Sequence, residues 1–514
     1  MANEIEVKLA VTGTALERLR RSPLLRTLAS GRRARRVELE STYFDTPDLD
    51  LKAEGMALRV RKQGNRRIQT VKLAKSSSLV SLREVRELEA DVSGDNLDLL
   101  AIEDPAIRDW LVADGVAERL GPVFTTRITR HILPLRLIES EIEVAFDEGV
   151  VIAGKLQEPL CEVELELLSG APDYLLQLAI AIGEQTEFQL ETRSKAARGY
   201  SLVKPQVVEP FFAQRGGLGG TTTAGGAFER IAHECLEQIR GNEAALLSGY
   251  RGSEAVHQFR VGVRRLRAAL SLFRPLVASG VDVQLSDDLK WLQNTFGPAR
   301  DWDVFREETL ALLRHRLPQE EGLALLSVQA DGMGLKAYDS ALSVLRSHRY
   351  AMLILRLEYW LRNGAWHSSE PGQVAQPVGD FAAAALARRA KQVLKRGKEQ
   401  NPEEEETLHA LRIAGKKLRY ALEFFRDVLN EKGAKEAIGL SKRLQDCLGS
   451  LNDAAVSRGL IDSLIAETPD KVDARALGLV LGWQAHRVEE DLGHLDGVWA
   501  EAQPLLKAVK SGKL

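Results

Sequence analysis

The chain has 514 residues, of which 44% are hydrophobic and 28% charged, and its 70 basic and 73 acidic side chains leave a net charge of −3. A length beyond one ordinary core predicts several domains, and the composition excludes a disordered or collagenous chain. No apolar run is long enough to span a bilayer, and Cys161, Cys235 and Cys447 form no C-x-x-C pair, which argues against a disulfide framework or a zinc site.

The N-terminal MANEIEVKLA carries acidic residues and no apolar h-region, so it does not read as a signal peptide and a cytoplasmic protein is expected. Up to residue 204 short alternating segments dominate. Residues 4–9, 57–62, 68–73, 85–92, 142–146 and 160–167 read as strands, and 14–28 and 172–183 as helices. Strands without regular helical crossovers predict an α+β domain built on an antiparallel sheet or barrel.

Side chains alternate across a strand, which sorts the charges into rows. Glu4, Glu6 and Lys8 share one face, and so do Glu162, Glu164 and Glu166. Arg59 pairs in this way with Arg61, Thr70 with Lys72, Glu87 with Glu89, and Glu143 with Asp147. Any one row reads as the solvated face of a half-buried strand. Purely acidic faces on some strands and purely basic ones on others suit a closed barrel with its polar faces inward. Such a lumen fits a metal–polyphosphate ligand. Arg and Lys pair with phosphate oxygens, and carboxylates hold Mg2+ or Mn2+ that bridges to them.

Residues 205–226 are rich in Gly and Thr, begin at Pro205, and read as a linker. Beyond them Leu, Ala, Arg, Lys and Glu recur with a period near 3.6, which predicts an all-α bundle over residues 227–510. Its sequence is duplicated. His257, Arg260, Arg264, Arg265 and Arg267 return as His409, Arg412, Lys416, Lys417 and Arg419. Leu292-Gln293 and Gly297…Asp301 return at the same offset as Leu444-Gln445 and Gly449…Asp453. Two copies of one helical unit are expected, about residues 227–370 and 378–510.

Positions i, i+3, i+7 and i+10 span an arc of about 80° on a helix. Each copy therefore presents a row of cations, which Arg265 and Lys417 widen. Like charges at this spacing destabilise a helix by a few tenths of a kcal/mol per pair. The rows call for acids such as Asp301, Asp303 and Asp453, or for an anionic ligand. Without interleaved aromatics, nucleic acid is the disfavoured polyanion. One His per motif, with no second ligand at i+4, makes metal binding by His257 and His409 the weaker reading, behind hydrogen bonding to phosphate or to Asp301 or Asp453.

The Glu4-x-Glu6-x-Lys8 motif, Tyr43-Phe44-Asp45-Thr46, Arg59-x-Arg61, Thr70-x-Lys72, Glu162-x-Glu164-x-Glu166 and Ser194-Lys195-x-x-Arg198-Gly-Tyr200 resemble, in the same order, the CYTH superfamily of triphosphate tunnel metalloenzymes. The resemblance implies an eight-stranded antiparallel tunnel with Glu4, Glu6 and Lys8 at the chemistry. It implies metal ligands among Glu4, Glu6, Asp147, Glu162, Glu164 and Glu166, and phosphate ligands among Lys8, Arg59, Arg61, Lys72, Arg130 and Lys195. Where the family commonly has R-x-E-x-E, Val85 stands at the Arg position ahead of Glu87 and Glu89. Arg83, two residues earlier on the same face, is the expected substitute, whereas Arg86 points the other way.

The duplicated helical motifs, each followed by G-x-x-R-D or G-x-x-N-D, resemble the CHAD domain, which implies a basic channel that binds inorganic polyphosphate. CYTH followed by CHAD implies an inorganic triphosphatase that uses Mg2+ or Mn2+ and releases diphosphate and phosphate. It also implies a cytoplasmic location at polyphosphate granules, and no membrane partner is expected. Two competing readings remain: an organic triphosphate such as thiamine triphosphate or cyclised ATP, and a polyphosphate-binding protein without turnover.

Overall fold

The computed structural model describes residues 2–513 except 75–80, 138, 214–215, 220–221, 278–282, 368–370, 402–403 and 469–471. Residues 214–215 and 220–221 of the expected linker thus lie outside the described residues. The chain divides into two compact units, Met1–Val208 with Leu345–Asn363, and Glu209–Val344 with Gly364–Leu514.

In the first unit eight strands close on themselves. They are β1 (Ala2–Ala10), β2 (Arg35–Asp45), β3 (Met56–Gln63), β4 (Arg66–Ala74), β5 (Arg83–Asp91), β6 (Gly121–Arg136), β7 (Glu141–Ala153) and β8 (Leu156–Ser169). Neighbours run antiparallel in the order β5-β4-β3-β2-β6-β7-β8-β1, and β1 pairs back onto β5 to complete the barrel. A short β9 (Gln189–Leu190) pairs with the end of β1.

The barrel is inside out relative to an ordinary core. Its charged rows face the lumen and its apolar rows face outward, where helices cover them. Val7, Leu9, Val144, Phe146, Val163 and Leu165 of the strands pack with Leu16, Leu19, Leu25, Leu175, Leu178 and Ile182 of the helices. Each such fully buried side chain contributes about 1.5–3 kcal/mol, so the cover stabilises the barrel. Leu58, Val60 and Val71 are covered in the same way by Ile107 and Leu111.

Two expectations change here. The helix read over 14–28 is two helices, Gly13–Arg20 and Pro23–Leu28. Pro23 disfavours a helical residue before it, and the Ser22 hydroxyl caps the second helix by accepting from Leu25 N. The strands β2 and β6 are also additional to the six read from alternation. Their charged residues fall on both faces, as with exposed Arg36 and Arg127, so the period of two is blurred.

The cover also includes the helix His348–Asn363. Ala351, Met352 and Leu355 join the cluster that covers β1, β7 and β8. A Cβ on Gly183 would stand 2.2 Å from Met352 Sδ, so glycine lets the Met352 side chain lie against this position as it does here. His348 Nδ1 accepts from Phe188 N at 3.2 Å, and Tyr359 accepts from Gln177 Nε2 at 2.6 Å.

Among the described residues the second unit is helical from Ala224–Leu247 to Ala474–Lys510, apart from one bridge between Thr223 and Pro377. The duplicated motifs lie on the helices Ser253–Leu272 and Glu405–Phe425. Phe273 and Phe425, at their C-terminal ends, lie 5.7 Å apart between ring centroids in the buried core.

Candidate active site and anion-binding helices

The lumen of the barrel holds a cavity of about 430 Å³ lined by both charge signs. Strand register decides which charges meet. Glu164 stands opposite Lys8, and Glu166 stands opposite Glu6 on one side and Glu143 on the other.

Asp147, Glu162 and Glu164 are the most closely set acids. One oxygen from each lies within 4.8 Å of the others, and all three side chains are buried. Like charges at this spacing in a dry site require compensation. Lys195 supplies it, with Nζ at 2.6 Å from Glu162, 2.7 Å from Glu164 and 2.7 Å from Asp147. Lys8 reaches Glu164 at 2.6 Å, and Arg130 grips Asp147 with two bonds of 2.7 and 2.6 Å while also contacting Glu164. Burial pushes the Glu164 carboxyl up, but Lys195, Lys8 and Arg130 outweigh it and hold it well below the usual carboxylate range. Burial pulls the Lys8 ammonium down, and Glu164 and Glu6 more than reverse this.

Lys195 comes from the helix Lys195–Val203, which presses onto the barrel wall. A Cβ on Gly199 would stand 2.1 Å from the Phe124 ring, so only glycine lets the helix approach β6 this closely. Ser194 caps that helix by accepting from Ala197 N.

A second acidic group lies along the same strands and lacks that compensation. Glu166 and Glu143 have no ion-pair partner among the described residues. Burial, with Glu4, Glu143 and Glu164 nearby, pushes the Glu166 carboxyl up to about 7, and burial also raises Glu143. Glu4 is held by Lys72 at 2.7 Å and Glu6 by Lys8 at 3.0 Å.

The cations on the remaining wall are under-used. Arg59 reaches Glu87 at 3.1 Å, yet its Nε is buried without a hydrogen-bond partner. Arg61 has no carboxylate within ion-pair range among the described residues and donates only a long bond, 3.4 Å, to Ser41 Oγ. Burial, Arg59 and Arg130 lower its guanidinium to about 10. Lys72 bridges Glu4 and Glu87 at 2.7 and 3.0 Å. Arg83, facing Glu6 across the β1–β5 seam, comes within 3.7 Å of it, and its Nη1 is a buried donor without a hydrogen bond. Val85 lines the same cavity as an apolar residue.

The barrel thus brings together every residue expected in the tunnel. Further charged residues belong to it: Arg35, Lys52, Glu87, Glu89 and Glu143 line the cavity, and Arg198 joins the acid cluster. Arg198 follows Lys195 by one helical turn and reaches Glu162 at 3.3 Å, and their shared helix face was the available signal. Glu143 was legible as an inward residue from its alternation with Asp147.

In the helical unit the two repeats differ. In the first, Arg260 donates to Gln293 O at 3.1 Å, Arg267 to Gln293 Oε1 at 2.6 Å, and Arg264 to Tyr420 Oη at 2.6 Å. In the second, Arg412 Nε, Arg419 Nε and Gln445 Nε2 are buried without a hydrogen bond, and Arg419 Nε has only an ion pair of 3.8 Å to Glu423. Burial lowers the Lys416 ammonium to about 8, helped by Arg412, Arg264 and Arg419. Burial also lowers His257, helped by Arg300. Arg265 turns away from the row: it is buried and donates to Gln238 on the neighbouring helix at 3.0 Å. Lys417 and His409 are exposed. Burial raises the Asp301 carboxyl, against the pull of Arg260 and with the push of Asp453.

Comparison with known proteins agrees with both halves. The CYTH domain family matches residues 2–200 and the CHAD domain family residues 230–462. A Haemophilus influenzae protein named inorganic triphosphatase is 31% identical over 172 residues, which span 33% of this chain and 47% of that protein, so the match covers about half of the relative. An uncharacterised Mycobacterium tuberculosis protein is 25% identical over 501 residues, 93% of this chain and 91% of its own. The crystal structure of a CHAD domain from the plant Ricinus communis is 31% identical, with a TM-score of 0.51, and covers 58% of this chain and 97% of that one. No helix among the described residues is long and apolar enough to cross a membrane. The chain therefore belongs to the proteins in which a CYTH domain is followed by a CHAD domain.

Proposed function

We propose that the tunnel hydrolyses inorganic triphosphate to diphosphate and phosphate with Mg2+ or Mn2+, and that the helical unit binds inorganic polyphosphate. The observation that carries the first half is the division of the lumen. Arg59, Arg61 and Arg83 present unsatisfied donors on one wall, and Glu166 and Glu143 present uncompensated carboxylates on another. An oligophosphate supplies oxygens to the first wall, and a hard divalent ion suits the all-oxygen donors of the second.

Glu4, Glu6 and Glu166, with Glu143 beside them, would hold the ion. Asp147, Glu162 and Glu164 offer carboxylates of the same kind, but there an ion competes with Lys195, Lys8 or Arg130 at every carboxylate, whereas in the first group Lys72 and Lys8 hold Glu4 and Glu6 while Glu166 and Glu143 have no ion-pair partner among the described residues. Held by the first group, an ion would supply neutralisation of phosphate charge and activation of a water. The protein's own groups orient the chain of phosphates. Arg59, Arg61, Lys72 and Arg83 take non-bridging oxygens, and water adds to one phosphorus as the bridging oxygen leaves with the diphosphate.

An inorganic substrate is favoured over a nucleotide by the aromatic residues near the lumen. Tyr43 lines the cavity but is 3% exposed and stacked on Phe124 at 4.5 Å, and Phe44 packs under the helical cover, so little ring face is presented to a base. The H. influenzae relative's name supports the same choice. For the helical unit, support comes from the crowded cations around Lys416 and the unbonded donors of the second repeat. A polyphosphate-binding unit supports a cytoplasmic location at polyphosphate granules. Phosphate release from triphosphate, ATP and thiamine triphosphate, with and without Mg2+ or Mn2+, tests the enzyme reading.

A further inference from the structure

We propose that Glu358 is a positioning residue for Arg83, so that the helix His348–Asn363 sets the tunnel's affinity for its substrate. The proposal rests on the triphosphatase reading above. The helix lies within the stretch matched by the CHAD family, 230–462, yet it packs in the unit that contains the tunnel.

Glu358 is 3% exposed. Its two carboxylate oxygens both accept from Ser81 N, at 2.8 and 2.9 Å, and Oε1 also accepts from Ser81 Oγ at 2.9 Å. A carboxylate that receives a backbone N–H and a hydroxyl in a dry site makes strong, directional bonds. It fixes the backbone of Ser81, two residues ahead of Arg83.

Arg83 begins β5, and its partner Glu6 is the last pair in the β1–β5 seam that closes the barrel. A strand end has fewer ladder bonds to hold it than a strand centre, and ends fray first. Here the end is tied down by a carboxylate from far along the chain. Arg83 Nη1 is left buried and unbonded, 3.7 Å from Glu6, as a donor directed at the lumen. A guanidinium that binds phosphate is useful only if it is already in place, because displacements near 1 Å are costly. Glu358 supplies that placement and touches no substrate itself.

The test is a double-mutant cycle in the full chain with Glu358→Ala, Arg83→Ala and both together, read as kcat and KM for triphosphate. Expected is a KM about tenfold higher in each single variant, the loss of one charge-assisted hydrogen bond, with kcat nearly unchanged. The double variant should be no worse than Arg83→Ala alone, and Glu358→Gln should restore part of the KM. Multiplying effects, or an unchanged KM in a folded Glu358→Ala protein, would overturn the proposal. If Glu358→Ala does not fold, Ser81→Ala takes its place in the cycle: a raised KM that Arg83→Ala does not worsen supports the proposal, and multiplying effects overturn it. If the wild type shows no turnover, the triphosphatase reading fails, and the cycle is read instead on the Kd for triphosphate, where independent losses overturn the positioning role.

Discussion

Lys8 and Glu164 stand directly opposite one another on β1 and β8, 2.6 Å apart, and each is only 7% exposed. A pair this buried is held together less by its own attraction than by the penalty of leaving either charge alone. Lys8→Met strips one cation from a cluster in which Asp147, Glu162 and Glu164 already crowd. Expected is a loss of about 3–5 kcal/mol from the tunnel unit's unfolding transition in urea, together with loss of turnover. A variant as stable as the wild type would show that the acids are compensated elsewhere.

Glu166 separates the two acidic groups. Replacing it by Gln removes a carboxylate that faces Glu6 and Glu143 and has no cation of its own. The Mg2+ concentration for half-maximal turnover should rise by about tenfold or more, by analogy with the losses seen when a metal's surroundings are altered. The metal-free protein should melt at a higher temperature, because one of several adjacent like charges is gone. An unchanged metal requirement would move the ion to the Asp147 cluster.

Lys416 gives the helical unit a pH dependence. Its ammonium is lowered to about 8 by burial and by Arg412, Arg264 and Arg419. With a folded value below the unfolded 10.5, the cost of charging Lys416 is fully present below about 8 and is relieved as pH rises toward 10.5. The free helical unit should therefore gain stability across that window. Long-chain polyphosphate binding should weaken over the same rise, since the cation it uses is being lost. Calorimetric titrations from pH 7 up to 10.5 check this, and Lys416→Met should flatten the profile. A slope that survives in that variant assigns the titration to another group.

The inequality of the repeats predicts an inequality of roles. Arg267→Ala orphans Gln293 and should cost about 1–2 kcal/mol of stability. Arg419→Ala removes a guanidinium whose Nε makes no hydrogen bond and only a 3.8 Å ion pair to Glu423, so stability should fall by less than for Arg267→Ala while polyphosphate affinity falls. Thermal melts and polyphosphate titrations of the two variants separate these outcomes. Equal effects on both readouts would mean that the repeats act alike.

The charged rows of the tunnel were legible because a period of two forces alternate residues of a strand onto one face, so Glu4, Glu6 and Lys8 had to point together. Lys195 and Arg130 were legible through the family resemblance rather than through alternation. What alternation does not give is the partition of the acids. Which carboxylates are neutralised depends on Lys195, which arrives on a helix made possible by Gly199 against Phe124. The repeat was legible in the same local way, but Arg265 was not. It sits at the edge of the helical arc, and only the neighbouring Gln238 decides that it turns inward. The tie between Glu358 and Ser81 joins residues distant in sequence and leaves no local pattern to read.

The most direct measurement is the initial rate of phosphate release from triphosphate by the full chain, with Mg2+ or Mn2+ and with a chelator, beside the Glu4→Ala/Glu6→Ala variant. The tunnel reading predicts release that depends on the metal, exceeds that from ATP and thiamine triphosphate, and is lost in the variant. Metal-independent release, equal release from the variant, or none from any of the three substrates would contradict it.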